Sequence, residues 1–542
     1  MLLNKKNNFD DFGYMIDCSR GAVPTVESLK KLVDILSAFG YNYLMLYTED
    51  TYEIEGEPYF GYMRGRYSKQ DIQELDRYCI SKNMELRACF QTLAHLSRLK
   101  RHDNFEPLFE INDILTVKDE RVYELIDKMF DSISKMFSCK KVHIGMDEAW
   151  ALGRGKLLDK YGLLPRNKIM ASHLKRVSAL AKKYGFECDI WADMLWNSYH
   201  ESTDKEHFKM QIPENITPII WRYWLKDRQA SEEEILTYKK FCDCKKLGYA
   251  GGAQKWSGFI PSNRYSFFTF EEQITTCIKY DIKRYLVTAW GDCGADASMF
   301  STIPSMFYAS LVAHKLKLNT QTKKYFKEVV GMKFDDFMKV DLLSRLEMDD
   351  DSKYFNNLSF IYLYNDLLQG MYDEAILDNA AILLKDAAKV LKNCVKNENF
   401  GYIFKTLYHL ALLDASKVHL SQDIYRHYKE NDKVGLQNDV KAIKVSLKEL
   451  SRFMDAFEQQ WHIENNSIGF EKQIVRLGGL KERLEYTIRQ LNKYLDGKIN
   501  KIDELEQERL PISNKYWDHQ NKKNNCLNSY CDIVSGGSLK EF

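Results

Sequence analysis

Lys141-Val-His-Ile-Gly-Met-Asp-Glu-Ala149 is a strand-like run that ends on two adjacent carboxylates. Side chains alternate across a strand, so Val142, Ile144 and Met146 are expected on one side and His143, Gly145 and Asp147 on the other. Glu148 falls where the strand should give way to a loop. Carboxylates at the carboxyl end of a strand stand where a parallel α/β barrel keeps its chemistry. An acidic pair by itself says little. With 77 acidic residues in 542, about 11 adjacent pairs arise by chance, and most such pairs are solvated surface.

Working outward from this run, strand and helix signals alternate over the first 310 residues. Phe12–Asp17 reads as a short apolar strand. Pro24-Thr25 opens a helix with Leu29, Leu32, Val33 and Leu36 on one face, and Gly40 can end it. Tyr43–Tyr47 is a second strand, Ser68 begins a helix, and Glu85–Phe90 is a third strand. The 141–149 run comes fourth. Glu187–Trp191, Thr217–Trp221, Leu247–Ala250 and Tyr285–Ala289 follow at similar intervals. Eight strands with intervening helices predict a (β/α)8 barrel. An open doubly wound sheet is the alternative, but no Gly-rich phosphate loop follows the first strand.

Beyond residue 310 the texture changes. Eight of nine prolines and seven of nine tryptophans precede residue 305, and no proline occurs between Pro304 and Pro511. Such a stretch, rich in Leu, Lys and Glu, predicts long helices. Leu363, Leu367 and Met371, and again Leu480, Leu484 and Ile488, recur at the four-residue spacing of a buried helical stripe. Gly478-Gly479 is the expected break between two helices. The resulting division is a barrel over 1–310, an α-helical region over 311–510 and a loosely ordered tail over 511–542, which contains Asn521–Asn525 and Gly536-Gly537.

Bulk properties narrow the function classes. A chain of 63.7 kDa exceeds what one core usually holds. Its 78 basic and 77 acidic residues leave a net charge of +1, which offers no electrostatic footprint for nucleic acid or an anionic membrane. Met1–Phe9 holds no apolar core of signal-peptide length and no run of 18 apolar residues occurs, so a cytoplasmic protein is expected. The twelve cysteines are scattered, which fits free thiols in a reducing compartment. Cys242-Asp-Cys244 is their one close pair, and without a second pair it makes a poor metal site.

On the eight-strand reading, polar and aromatic residues gather just after the strands. Asp17-Cys-Ser-Arg20 ends the first, Thr48-Glu-Asp50 the second and Gln91-Thr-Leu-Ala-His95 the third. Trp191-Ala-Asp193, with Trp196 beyond, ends the fifth, and Trp221-Arg-Tyr-Trp224 the sixth. Trp256 follows the seventh and Trp290-Gly-Asp292 the eighth. Tryptophans repeated at equivalent positions suit a pocket for the apolar faces of a sugar.

The string His143-x-Gly-x-Asp147-Glu148, with these strand ends, resembles the signature of glycoside hydrolase family 20, the β-N-acetylhexosaminidases, over roughly residues 12 to 300. The resemblance implies that Asp147 holds and polarises the substrate's 2-acetamido group and that Glu148 is the general acid. It implies that Arg20 grips sugar hydroxyls, that His95 matches the histidine after strand three, and that His143 orients Asp147 or its loop. Trp191, Trp221, Trp256 and Trp290 would bind substrate, and Asp292 would read its outer hydroxyls. Tyr223 is the candidate for the tyrosine that bonds the acetamido oxygen, with Tyr249 the other. The family commonly carries an α+β domain ahead of the barrel, whereas here the barrel is expected to start within the first fifteen residues, and the helical region resembles that of a bacterial subgroup.

The implied activity is exo-hydrolysis of terminal β-linked GlcNAc or GalNAc from oligosaccharides, with retention and through an oxazolinium ion formed by the substrate's own acetamide. No cofactor and no metal are implied, and for the helical region two roles stand open, dimerisation into a homodimer or packing on the barrel as a brace. Two alternatives stand beside it. One is a retaining glycosidase with a conventional carboxylate nucleophile. The other is a non-catalytic carbohydrate-binding protein.

Overall fold

The structure is a computed structural model that describes residues 7–200, 211–225, 230–242, 246–346, 358–510 and 530–534. Its contacts divide the chain into two units. The first is Met1–Ala253, Ser266–Trp290 and Ser305–Thr322; the second is Gln254–Tyr265, Gly291–Pro304 and Lys323–Phe542.

The first unit is built on eight parallel strands: β1 (Asp11–Asp17), β2 (Tyr43–Tyr47), β3 (Glu85–Cys89), β4 (Lys141–His143), β5 (Glu187–Trp191), β6 (Ile216–Trp221), β7 (Gly248–Gly252) and β8 (Arg284–Ala289). All eight expected strands are present. β1 pairs with β2 on one side and β8 on the other, which closes the sheet into a barrel. Gly13 of β1 lies where a Cβ would meet the Tyr43 ring at 2.0 Å, so only glycine leaves room for that ring. The Arg87 guanidinium stands 3.7 Å from the centre of the same ring. It is almost wholly buried, and it pairs with Asp11 of β1 and Glu85 of β3. Arg284 of β8 bonds Asp11 at 3.0 Å and also pairs with Asp189 of β5. These charges form the barrel floor, where each buried ion has an opposite partner.

The interstrand helices follow local signals. Thr25 caps Val26–Ala38 by accepting the Ser28 N–H, and Leu29, Leu32, Val33 and Leu36 are buried. Ser68 and Asp71 form a reciprocal capping box at the start of Lys69–Ser81. One element escaped the sequence reading: a hairpin of Phe109–Ile111 with Ile114–Leu115 between β3 and β4. Its strands are too short to show an alternation.

The 141–149 run differs from expectation in one respect. Regular strand ends at His143, not near Asp147. Gly145, Met146 and Glu148 take left-handed φ values of 68°, 72° and 53°. The backbone still bonds β5, through Ile144 N to Asp189 O at 2.9 Å and Trp191 N to Gly145 O at 3.2 Å.

The described residues of the second unit include the helices Ala380–Lys392, Gly401–Lys417, Leu420–Lys429, Lys433–Glu464 and Phe470–Leu495. Phe453, Phe457, Trp461 and Phe470 build an aromatic core. Two expectations fail here. The helix carrying Leu363 ends at Tyr364, so Leu367 and Met371 are not on it. Asn365 accepts the Tyr372 N–H and Asp366 accepts those of Leu368 and Gln369, and such side-chain bonds displace helical ones. Gly478-Gly479 breaks nothing and lies inside Phe470–Leu495, where buried Leu477, Leu480, Leu484 and Leu491 carry the stripe through. Cys244, Asn521–Asn525 and Gly536-Gly537 lie outside the described residues. Within the expected loose tail, Tyr530–Ile533 forms one helical turn. Among the described residues no helix is long and apolar enough to cross a membrane.

Candidate active site

The carboxyl ends of the strands bring Asp147 to the centre of a buried network. Gln91, after β3, donates from Nε2 to Asp147 Oδ1 at 2.7 Å and to the Tyr47 hydroxyl at 2.9 Å. Its Oε1 accepts the Met146 N–H at 3.1 Å. Gly145 is required beneath it, because a Cβ there would meet Gln91 Oε1 at 2.0 Å. His143 Nδ1 accepts the Gly145 N–H at 3.1 Å, which holds the same turn from the other side. Burial keeps the His143 imidazole neutral, with its pKa down at about 3.

His95 supplies the cation. Its Nε2 lies 3.2 Å from Asp147 Oδ2 and 3.7 Å from Glu148 Oε2. Burial would depress the imidazole, but the charge and hydrogen bond of Asp147, with the charge of Glu49, together outweigh it and push the pKa to about 10. Reciprocally, burial would raise the Asp147 carboxyl, and His95 holds it below its ordinary value. The His95 backbone has a left-handed φ of 58°, and its N–H donates to Asp113 Oδ2 at 2.9 Å. Asp113 stands in the turn of the 109–115 hairpin, so that insertion serves the site.

Glu148 projects differently from its neighbour. Its side chain is 44 % exposed while Asp147 is buried. The Glu148 N–H donates to Asp193 Oδ2 at 2.8 Å, and Asp193 Oδ1 accepts from Trp221 Nε1 at 3.3 Å. Burial first, and Asp147 second, push the Asp193 carboxyl up to about 7.

The aromatic residues after β5, β6 and β8 form one connected wall. Trp191 lies 4.1 Å from the His143 ring and 5.9 Å from Trp290, between ring centres. Trp290 donates from Nε1 to the Tyr223 hydroxyl at 2.6 Å, and Tyr223 stacks on Trp221 at 5.2 Å. Tyr47 meets Trp290 edge-on at 4.6 Å. Tyr249 stands elsewhere, its hydroxyl donating to Ser231 on helix Ala230–Phe241. Trp196 packs on Tyr238 and Phe241 of that helix and takes no part in the wall. Arg20 follows β1 and stands beside Glu49, its Nη2 3.1 Å from Glu49 Oε1, and its guanidinium lies 5.8 Å from the Tyr47 ring centre. The first unit thus gathers Arg20, His95, Asp147, Glu148, Trp191, Trp221, Tyr223 and Trp290. Trp256, which is buried, and Asp292, which opens the turn Asp292–Gly294, belong to the second unit.

Gln91, Glu49, Asp113 and Asp193 were missed as site residues. Gln91, Glu49 and Asp193 stand in strand-end strings the sequence displays, but single polar residues there carry no pattern. Asp113 had no signal.

A model of the glycosyl hydrolase family 20 catalytic domain matches residues 12–239, and one of the glycoside hydrolase 20C C-terminal domain matches residues 335–525. The chain is 24 % identical to hexosaminidase D of Homo sapiens over 213 residues, which are 38 % of this chain and 43 % of that protein. It is 23 % identical to hexosaminidase D of Bos taurus over 213 residues, 38 % of this chain and 60 % of that one. The match therefore spans less than two thirds of either relative. The family 20 exo-β-N-acetylglucosaminidase of Vibrio harveyi, solved with N-acetylglucosamine, is 14 % identical, with a TM-score of 0.45 over 64 % of this chain and 60 % of that one. Two models of one family fall on separate stretches of the sequence, one of them spanning Asp147-Glu148 and the strands around it, and the chain belongs to glycoside hydrolase family 20.

Proposed function

We propose that the protein is an exo-β-N-acetylhexosaminidase that removes terminal β-linked GlcNAc or GalNAc from oligosaccharides with retention, using the substrate's acetamide as nucleophile. The observation that carries this reading is the division of labour between two adjacent carboxyls, Asp147 buried against His95 and Glu148 exposed. Asp147, kept ionised by His95, has the charge needed to accept the acetamido N–H and to stabilise the positive charge that develops as the ring closes. Each of its oxygens retains a lone pair beyond those facing Gln91 and His95. Glu148, open to the leaving group, protonates the glycosidic oxygen and then activates water for opening of the oxazolinium ion. Tyr223 supports the acetamide oxygen in this reading, and Trp191, Trp221 and Trp290 offer aromatic faces to the sugar. The ten described cysteines are all free, which supports action in a reducing compartment such as the cytoplasm.

The test is aryl release from paired 4-nitrophenyl β-glycosides, one with a 2-acetamido group and one with a 2-hydroxyl. Turnover of the acetamido compound only is expected. Comparable turnover of both would replace this mechanism with a conventional carboxylate nucleophile, and turnover of neither by folded protein would favour a binding protein.

A further inference from the structure

Asp193 opens helix Asp193–His200 directly after β5, and its carboxyl faces the loop that carries Glu148. Glu148 has a left-handed φ of 53°, two residues after Met146 at 72°. A non-glycine residue in that region costs roughly 1 to 2 kcal/mol and persists only where the surroundings hold it. Two bonds hold the Glu148 backbone: its N–H donates to Asp193 Oδ2 at 2.8 Å, and its carbonyl accepts the Trp150 N–H at 2.6 Å. The other Asp193 oxygen takes the indole N–H of Trp221 at 3.3 Å. One carboxylate therefore ties the general-acid loop to the sugar-facing wall.

We propose that Asp193 is a positioning residue that places Glu148 for proton transfer, and that it does so fully only while ionised, when both of its oxygens accept an N–H. The inference rests on the acid role of Glu148 proposed above. The ionisable groups facing Asp193 are Asp147 and Glu148 from the β4 loop and Tyr238 from helix Ala230–Phe241. Asp147 and Glu148 disfavour its charge, and so does burial, which is why its pKa reaches about 7. Once protonated, one carboxyl oxygen is an uncharged hydroxyl, a much poorer acceptor, and either the Glu148 or the Trp221 N–H keeps only a weakened bond. The bonds are complete above about pH 7 and incomplete below it. An aglycone that depends on protonation by Glu148 then shows a fall in turnover as pH drops through 7. One that leaves without help does not.

Asp193→Asn is the variant to test, because its side-chain amide offers a single acceptor at every pH and so mimics the protonated state. The readouts are kcat/KM for 4-methoxyphenyl and 4-nitrophenyl N-acetyl-β-glucosaminides between pH 5 and 9, with hydrogen exchange at the Glu148 amide. In D193N the ratio of nitrophenyl to methoxyphenyl turnover is expected to rise by about ten-fold or more, since general acid catalysis contributes about 100-fold or more to poor leaving groups. The fall near pH 7 should vanish, and the loss should appear in kcat rather than KM. The leaving-group ratio and the shape of the pH profile are each read within one preparation, so partial misfolding, which lowers kcat alone, does not imitate them. In Asp193→Ala, which removes both acceptors, the Glu148 amide should exchange at least about ten-fold faster, as a hydrogen bond worth about 1 kcal/mol or more is lost. An unchanged ratio with the pH 7 limb retained would overturn the inference, as would unchanged exchange. Failure of wild-type protein to turn over any N-acetylhexosaminide would sink the activity reading instead, and the exchange result would still decide the Asp193–Glu148 bond.

Discussion

Asp147 and Glu148 are neighbours in the chain with opposite environments, so their variants should behave differently. Glu148→Gln is expected to lose about 100-fold or more on 4-methoxyphenyl substrates and much less on 4-nitrophenyl ones, because acid assistance matters least for a good leaving group. Equal losses on the two would contradict the role. Asp147→Asn should damage both alike, since the acetamide oxygen must displace either leaving group from the anomeric carbon. His95 provides a pH test. Its imidazolium keeps Asp147 ionised, so His95→Gln should let the Asp147 carboxyl rise and carry the acid limb of kcat/KM to higher pH. A limb that stays in place in a pH–rate profile would remove His95 from that task. These two carboxyls and His95 were legible because the motif and the strand-end position coincide. Gln91 and Asp193 were not, because their importance lies in what they face across the barrel.

At the scale of elements, the two glycines inside Phe470–Leu495 give a clean expectation. Among the described residues, a Cβ at Gly478 would meet nothing within 4 Å, and at Gly479 only the Tyr530 hydroxyl at 3.9 Å. Gly478→Ala and Gly479→Ala should each stabilise the second unit by about 0.5 to 1 kcal/mol, read from the denaturant midpoint. A loss of stability would mean that this helix needs its glycines. The pair looked like a break in the sequence because glycine is a weak helix former, and burial of the flanking leucines overrode that preference. A second expectation concerns Asp414 of helix Gly401–Lys417. Burial pushes its carboxyl well above the usual range, although a bond from Ser359 and the charge of Lys417 pull the other way. A carboxyl raised on folding contributes stability that is present below its unfolded pKa and lost as pH rises. Asp414→Asn should therefore gain in thermal midpoint over wild type as pH goes from 5 to 7.5. A difference that does not vary with pH would show that Asp414 is ionised when folded.

At the scale of the whole barrel, closure depends on charges that no local pattern announces. Asp11 and Arg284 come from the two strands that close the sheet, and Arg87 and Asp189 reach them from β3 and β5. Arg87→Met should cost about 3 to 5 kcal/mol, because it leaves Asp11 and Glu85 buried or half-buried without that partner. The measurement is equilibrium unfolding followed by a probe of the barrel. A cost below about 1 kcal/mol would mean that Lys141, 3.0 Å from Asp11, and Arg284 neutralise the floor unaided.

By itself, the sequence determined the order and type of the barrel strands, because each is a short apolar run bounded by turn and capping residues, and such signals are local. It also determined which strand carries the acidic pair and which strand ends carry aromatic residues. Only the tertiary structure decided that regular strand stops at His143, that Asn365 and Asp366 end a helix early, and that Gly478-Gly479 does not end one. It alone decided that Gln91, Asp113 and Asp193 hold the site. These outcomes turn on partners far apart in the chain, and the energy that selects them arises when the barrel closes and the side chains meet.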